Sequence, residues 1–323
     1  MKKSKNIDRI RVTKIAQFEG HKGAIYTLEH AAESHLFFSG SYDSMVVEWN
    51  LANPPQNRAI AKLPEKAFAL KYIPEKQLLL VGTYTGGIHV IDLVNNKEIK
   101  LLQLHQSIIF DIQYVVDKEW FFVLSADGAF SVWKIDGFDL VTTQRFGNYK
   151  MRSIDFCKKR NEAAIGYGDG TIRIIDIDTF KEKGIKRGHM EEYSVTTVKY
   201  HPSGTFLLSG SRDAHLNLWD IDNDYQLAQR IPAHNYAIYS IVFSPDGNYF
   251  ATGSRDKTVK IWDANEVKLL LTLNSEKHGG HTHSVNKLMW CNYKNYLIST
   301  GDDCTIKVWE ISDKIDKLPP TKR

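Results

Sequence analysis

The 323-residue chain is poor in cysteine: Cys157, Cys291 and Cys304 are an odd number, widely spaced and without a CxxC pair. That speaks against a disulfide framework and a cysteine zinc site, and a reducing cytoplasm is the economical setting. No apolar run reaches the roughly 18 residues of a membrane helix, so no membrane partner is expected. The first residues, MKKSKNIDRIRV, have the charges of a secretory leader but lack the apolar stretch that must follow them. Charge of one sign is also scarce. The formal net charge of +4 comes from the ends: residues 1–14 sum to +5, residues 313–323 to +2, and the 298 between them to −3. A nucleic-acid-binding body would carry a basic stripe of its own. What the chain does have is 42% hydrophobic and 11% aromatic residues, enough to bury a sizeable core.

One phrase recurs along it: SGSYDSMVVEW at 39–49, SGSRDAHLNLW at 209–219, TGSRDKTVKIW at 252–262 and STGDDCTIKVW at 299–309. Weaker copies stand at 81–91, 123–133 and 165–175, making seven, with a period of about 43 residues. Such a period is that of four-stranded propeller blades. Each copy reads as strand: Thr258 to Trp262 alternates small or polar with branched or aromatic residues after a Gly/Ser/Asp turn cluster. A second apolar run and its own turn precede it, as in Tyr249 to Thr252 after Ser244-Pro245-Asp246-Gly247. Four copies carry a histidine upstream, at His21, His189, His234 and His281, and the third has His105.

These motifs, with Trp219-Asp220 and Trp262-Asp263 as literal Trp-Asp pairs, resemble the WD-repeat β-propeller family over about residues 15 to 311. The resemblance implies an all-β, seven-bladed β-propeller of four-stranded antiparallel blades. It also implies that the N-terminal strand, which alternates over 11–18, completes the last blade, because the seventh copy has no apolar strand after 309–311. The expected organisation is a basic tail at 1–10, one propeller at 11–311 and a second basic tail at 312–323.

His21, Ser39 and Asp43 imitate a nucleophilic triad, and the set returns as His189, Ser209, Asp213; His234, Thr252, Asp256; and His281, Ser299, Asp303. A nucleophile needs an exposed hydroxyl and an oxyanion hole, and one copy suffices. Four copies at blade period are a structural device. In the resembled family they form, with Trp49, Trp219, Trp262 and Trp309, a hydrogen-bonded tetrad inside each blade. Repeat three keeps His105, Asp127 and Trp133 but has Val123 for the serine; repeat four keeps only Asp169 and repeat two keeps none, with Thr85 at the aspartate position. Blades two to four are therefore expected to depend on apolar packing.

Three further stretches have plainer readings. The HGGHTH segment around His278, His281 and His283 lacks a carboxylate or cysteine ligand, so no metal is expected. Gly166 to Gly170 has the glycines of a phosphate loop but lies between strands, and Asp220 to Asp224 lacks the glycine and glutamate of a calcium loop. No cofactor is called for, and the positions that should line the channel show no excess of carboxylates or metal ligands. The expectation is not an enzyme.

Function then falls to the surface, and the resemblance implies partner binding on the narrower top face. Three positions per repeat are involved: the residue before the turn aspartate and a pair at the start of the first strand. The set includes Tyr26, Tyr42, Lys66, Phe68, Tyr84, Phe110, Lys150, Arg152, Arg212, Tyr239, Arg255, Asn286 and Asp302. Its 21 positions hold six aromatics and five Lys/Arg against one Asp. Tyr and Arg dominate interface hot spots. The sequence thus predicts a non-enzymatic scaffold binding a protein or peptide, acidic or phosphorylated, with Tyr26, Tyr42, Phe68 and Tyr239 as apolar anchors and Arg152, Arg212 and Arg255 as charge partners. The alternative is an RNA-associated or small-ligand-binding propeller, with the basic tails as the nucleic-acid contact.

Overall fold

The computed structural model describes residues 10–313, which form seven four-stranded antiparallel sheets arranged as a seven-bladed β-propeller. Blade 1 runs Ile25–His30, Leu36–Ser41, Met45–Asn50 and Arg58–Lys62, from the channel outward. Blades 2 to 6 repeat this order, with innermost strands Ala67–Ile73, Ile109–Val115, Met151–Cys157, Val195–Tyr200 and Ile238–Phe243. Each innermost strand packs on the next, and Val285–Trp290 of blade 7 returns to Ile25–His30, closing the ring.

Blade 7 takes its outer strand from the other end of the chain. Ile10–Phe18 pairs antiparallel with Ile306–Asp313, from Ile10 opposite Asp313 to Phe18 opposite Ile306. An open stack would leave unpaired edges at both ends, which closure removes. Phe18 also sets its ring edge-on against Phe37 and Trp49 of blade 1, at centroid distances of 6.0 and 5.4 Å. These strands run one residue before and two beyond the limits 11–311; most of both basic tails lies outside the described residues.

The core is distributed between blades rather than gathered at one centre. One cluster, for example, joins Leu80, Ile88 and Val90 of blade 2 to Ile109, Phe121 and Val123 of blade 3. Middle strands are covered on both faces, so Leu78–Thr83 is buried throughout and reads as a continuous apolar run. Outer strands such as Lys97–Gln103 are mostly exposed. Because neighbouring innermost strands share no ladder, side chains meet their free N–H groups: Asp111 accepts from Ile154 N (3.0 Å), Asp155 from Tyr200 N (2.8 Å) and Ser240 from Leu288 N (3.0 Å).

On the face opposite the turn aspartates, equivalent ion pairs cross three successive blade boundaries. They join Lys76 to Asp136 (3.8 Å), Lys118 to Asp178, and Arg160 to Asp222 (3.5 Å). Each cation closes the first hairpin of one blade, and each aspartate follows the third strand of the next.

Candidate functional site

Four blades contain the complete polar network. In blade 1 the Nδ1 of His21 lies 3.0 Å from Asp43, its Nε2 lies 2.7 Å from Ser39 Oγ, and Trp49 Nε1 donates to the same Oγ at 2.7 Å. His189, His234 and His281 repeat the pattern with Asp213, Ser209 and Trp219; Asp256, Thr252 and Trp262; and Asp303, Ser299 and Trp309. Burial lowers the pKa of all four histidines despite the neighbouring aspartates. The neutral ring then donates from Nδ1 to the aspartate and accepts the hydroxyl proton at Nε2. Burial alone would raise the Asp43 carboxyl, but the N–H groups of Lys22 and Met45 and the His21 ring hold it below the usual range. Ser39, Ser209, Thr252 and Ser299 are fully buried, so their hydroxyls hold the blade together and offer substrate no approach.

Blade 3 corrects the expectation that it loses its network with Val123. Ser131 supplies the hydroxyl instead, 2.8 Å from His105 Nε2 and accepting from Trp133 Nε1 at 2.7 Å, while His105 Nδ1 lies 3.0 Å from Asp127. Val123 and Ser131 are direct partners across the strand pair, so either position reaches the same point. The two remaining blades substitute other chemistry. In blade 4 the Arg173 guanidinium lies 4.7 Å from the buried Tyr167 ring and pairs with Glu182. In blade 2 the buried His89 lies 3.1 Å from Glu98. His89 and Arg173 occupy the repeat position of Ser131, four residues after the turn aspartate.

At the turn-aspartate end, every blade shows the same two features. The register of the innermost strand skips one residue, a β-bulge, and that residue is Tyr26, Phe68, Phe110, Arg152, Thr196, Tyr239 and Asn286 in blades 1 to 7. Bulges re-aim side chains, and all seven line a cavity of about 450 Å³ at the mouth of the channel. Second, the N–H of the residue before the turn aspartate donates to the carbonyl two residues before the bulge. The bonds run from Tyr42 to Ala24, Tyr84 to Lys66, Ala126 to Ile108, Gly168 to Lys150, Arg212 to Ser194, Arg255 to Ala237 and Asp302 to Ser284, at 2.8 to 3.1 Å. The three positions per repeat therefore form one ring, including repeats two and four, which have no histidine to anchor the count.

The ring is chemically divided. Blades 1 to 3 carry aromatics: Tyr26 stacks on Phe68 (4.2 Å between centroids), and Phe68 meets Tyr84 at 5.9 Å. Blades 4 to 6 carry Lys150, Arg152, Arg212 and Arg255 beside Tyr239, and blade 7 carries Asp302, which accepts from Asn286 Nδ2 at 2.8 Å. Arg152 lies against the Phe110 ring at 4.2 Å and, among the described residues, has no carboxylate partner. Burial lowers its pKa to about 10, with Tyr239 opposing the shift and Arg212 adding to it. Burial, Asp302 and Tyr42 together raise that of Tyr26.

Sequence reasoning passed over Tyr149, Tyr193 and Tyr236, which stand 54, 45 and 59% exposed just before the innermost strand starts of blades 4 to 6. An aromatic at that position in three consecutive repeats was the available signal. It also passed over the carboxylates below the mouth. Glu29 pairs with Lys71 at 3.0 Å, Asp155 with Lys199 at 2.6 Å, and Asp111 holds the N–H of Ile154. The described residues contain no group of three or more His, Cys, Asp or Glu placed to hold a metal. His278 ends a short helix, Ser275–His278, while His281 belongs to its tetrad. Asp220 caps its own loop through the N–H groups of Asp222 and Asn223.

A closed ring of seven such blades defines a WD-repeat propeller. Residues 12–50, 180–220, 225–263 and 269–310 match the family described as "WD domain, G-beta repeat", and the chain belongs to that family. It is 24% identical over 228 residues to the guanine nucleotide-binding protein subunit beta of Zea mays, covering 65% of this chain and 58% of that relative. It is also 25% identical over 145 residues to WD repeat-containing protein 90 of Xenopus tropicalis, covering 42% of this chain and 8% of the other. The chain thus spans only part of the length of these relatives. Among solved structures, the WD40 β-propeller domain of Doa1 superposes with a TM-score of 0.80 at 19% identity, covering 93% of this chain and 97% of that one. This likeness shows the fold. The stretch between the first two family matches, 51–179, holds blades 2 and 3 and the three inner strands of blade 4, the blades whose polar networks are the altered ones.

Proposed function

We propose that the protein is a non-enzymatic interaction scaffold that binds an acidic or phosphorylated protein segment at the channel mouth. The observation that carries this reading is Arg152: a half-buried guanidinium facing the cavity with no carboxylate partner among the described residues. A desolvated cation held without a counter-charge favours an anionic ligand, and guanidinium groups suit carboxylate and phosphate geometry. Lys150, Arg212 and Arg255 extend the positive arc, and Tyr26, Phe68 and Tyr239 supply apolar contact beside it. The maize relative is, by its name, a subunit of a larger protein, which agrees with a role in assembly. The full burial of the triad-like hydroxyls supports the non-enzymatic part. Among the described residues no helix is long and apolar enough to cross a membrane. The three free cysteines fit a reducing cytoplasm as the working compartment.

A capture experiment comparing wild type with Arg212→Glu/Arg255→Glu tests the reading. Immobilised Glu-rich and phosphoserine peptides should retain the wild type and lose the variant. Equal retention of both proteins would overturn it.

A further inference from the structure

The aromatic arc of the mouth holds an unusual occupant. Tyr42 and Tyr84, on neighbouring blades, are 50 and 45% exposed. The Nζ of Lys66 stands between their rings, 3.9 Å from the centroid of Tyr42 and 4.8 Å from that of Tyr84. Phe68, two residues on, continues the aromatic surface from Tyr84 to Tyr26. Among the described residues Lys66 has no carboxylate partner, and its ammonium donates no hydrogen bond to protein. Among those residues its charge is met by ring faces alone.

Two ring faces converging on one point make a site for a cation, and trimethylammonium groups are the ligands such sites favour. Here the protein fills the site itself. We infer that Lys66 sets the charge selectivity of the mouth by occupying a cation site built from Tyr42 and Tyr84. A ligand lysine, arginine or quaternary ammonium would have to displace the resident ammonium or sit beside a like charge. An acidic ligand meets three N–H donors that lack protein acceptors. The inference deepens the proposed function, because it supplies rejection as well as attraction, and it rests on reading the mouth as a ligand site.

The test removes the occupant. Full-length wild type, Lys66→Ala, Lys66→Met and Lys66→Arg are titrated with tetramethylammonium and with a trimethyllysine peptide, followed by the NMR shifts of tyrosine ring protons. Lys66→Met keeps the packing of the stem without its charge, which guards against misfolding in the alanine variant. Wild type and Lys66→Arg should show no saturable binding. The two neutral variants should gain it, by at least about tenfold in affinity, equivalent to one partly desolvated cation–π contact. The gain should vanish when Tyr42→Ala is added. The inference is overturned if wild type binds tetramethylammonium as tightly as the neutral variants. It is equally overturned if both neutral variants fold with the wild-type melting temperature and gain nothing. Failure of acidic peptides to bind the wild type would sink the proposed function and leave these ammonium results to be read separately.

Discussion

Ser131 faces Val123 across the middle strands of blade 3 and sets its hydroxyl 2.8 Å from Nε2 of His105, where blades 1, 5, 6 and 7 use a serine or threonine on the preceding strand. The network has moved one strand outward while keeping its three contacts. Ser131→Ala should therefore destabilise the protein by about 1 to 3 kcal/mol, the cost of leaving the buried Nε2 acceptor of His105 and the indole N–H donor of Trp133 unmet. The double swap Val123→Ser/Ser131→Val should recover most of the loss. Urea denaturation measures both, and an unchanged midpoint for Ser131→Ala would show that the hydroxyl is idle.

The same networks set a pH dependence. Burial lowers the pKa of His21, His189, His234 and His281 below 6.5, so the unfolded chain binds more protons there and stability falls as pH drops from about 7 toward 5. The aspartates add a second window. Burial would raise Asp127, yet His105 and the N–H groups of Ala129 and Gln106 lower it from 3.8 to about 2, and the stability this provides is lost as pH falls through that interval. Both effects share a sign. Denaturation midpoints should decline on acidification in two stages, and a flat profile between pH 7 and 5 would contradict the neutral-histidine assignment.

Ring closure makes the blades one cooperative unit. Deleting residues 1–18 removes the strand paired with Ile306–Asp313 and the Phe18 contacts to Phe37 and Trp49. Cooperative unfolding should be lost. The milder Phe18→Ala should cost about 3 to 5 kcal/mol, as large-to-small changes at buried aromatics do. A truncated protein that melts as sharply as the full chain would refute the closure.

Blade 2 has neither a tetrad nor a relocated serine, so its middle strands should exchange amide hydrogens before those of blade 3. The surface pairs from Lys76, Lys118 and Arg160 are worth at most about 1 kcal/mol each. Raising salt should therefore change the contrast only slightly. Blade 3 exchanging as fast as blade 2 would show that its network does not hold it.

The seven copies, the period and the closing strand were legible because each blade repeats its chemistry at fixed spacing. The ring of bulge and pre-turn residues was legible for the same reason, down to Phe68 and Arg152 in repeats without a histidine. Ser131 was not, because a residue-by-residue count looks along the chain, whereas its substitute is the partner across the strand pair. Lys66 was visible as a cation but not as the occupant of the Tyr42 and Tyr84 rings, since contact between neighbouring blades has no period. The Glu29 to Lys71 and Asp155 to Lys199 pairs escaped for a similar reason: each joins a carboxylate of one blade to a lysine of the next.

The central claim is that the mouth selects acidic segments through its basic arc. Fluorescence anisotropy with a labelled Asp/Glu-rich peptide and its Asn/Gln counterpart, against wild type and Arg152→Met, tests it most directly. The account predicts that wild type binds the acidic peptide at least about tenfold more tightly, that added salt weakens this preference, and that Arg152→Met removes most of it. Equal affinity of wild type for the two peptides, or an acidic preference untouched by Arg152→Met, would contradict it.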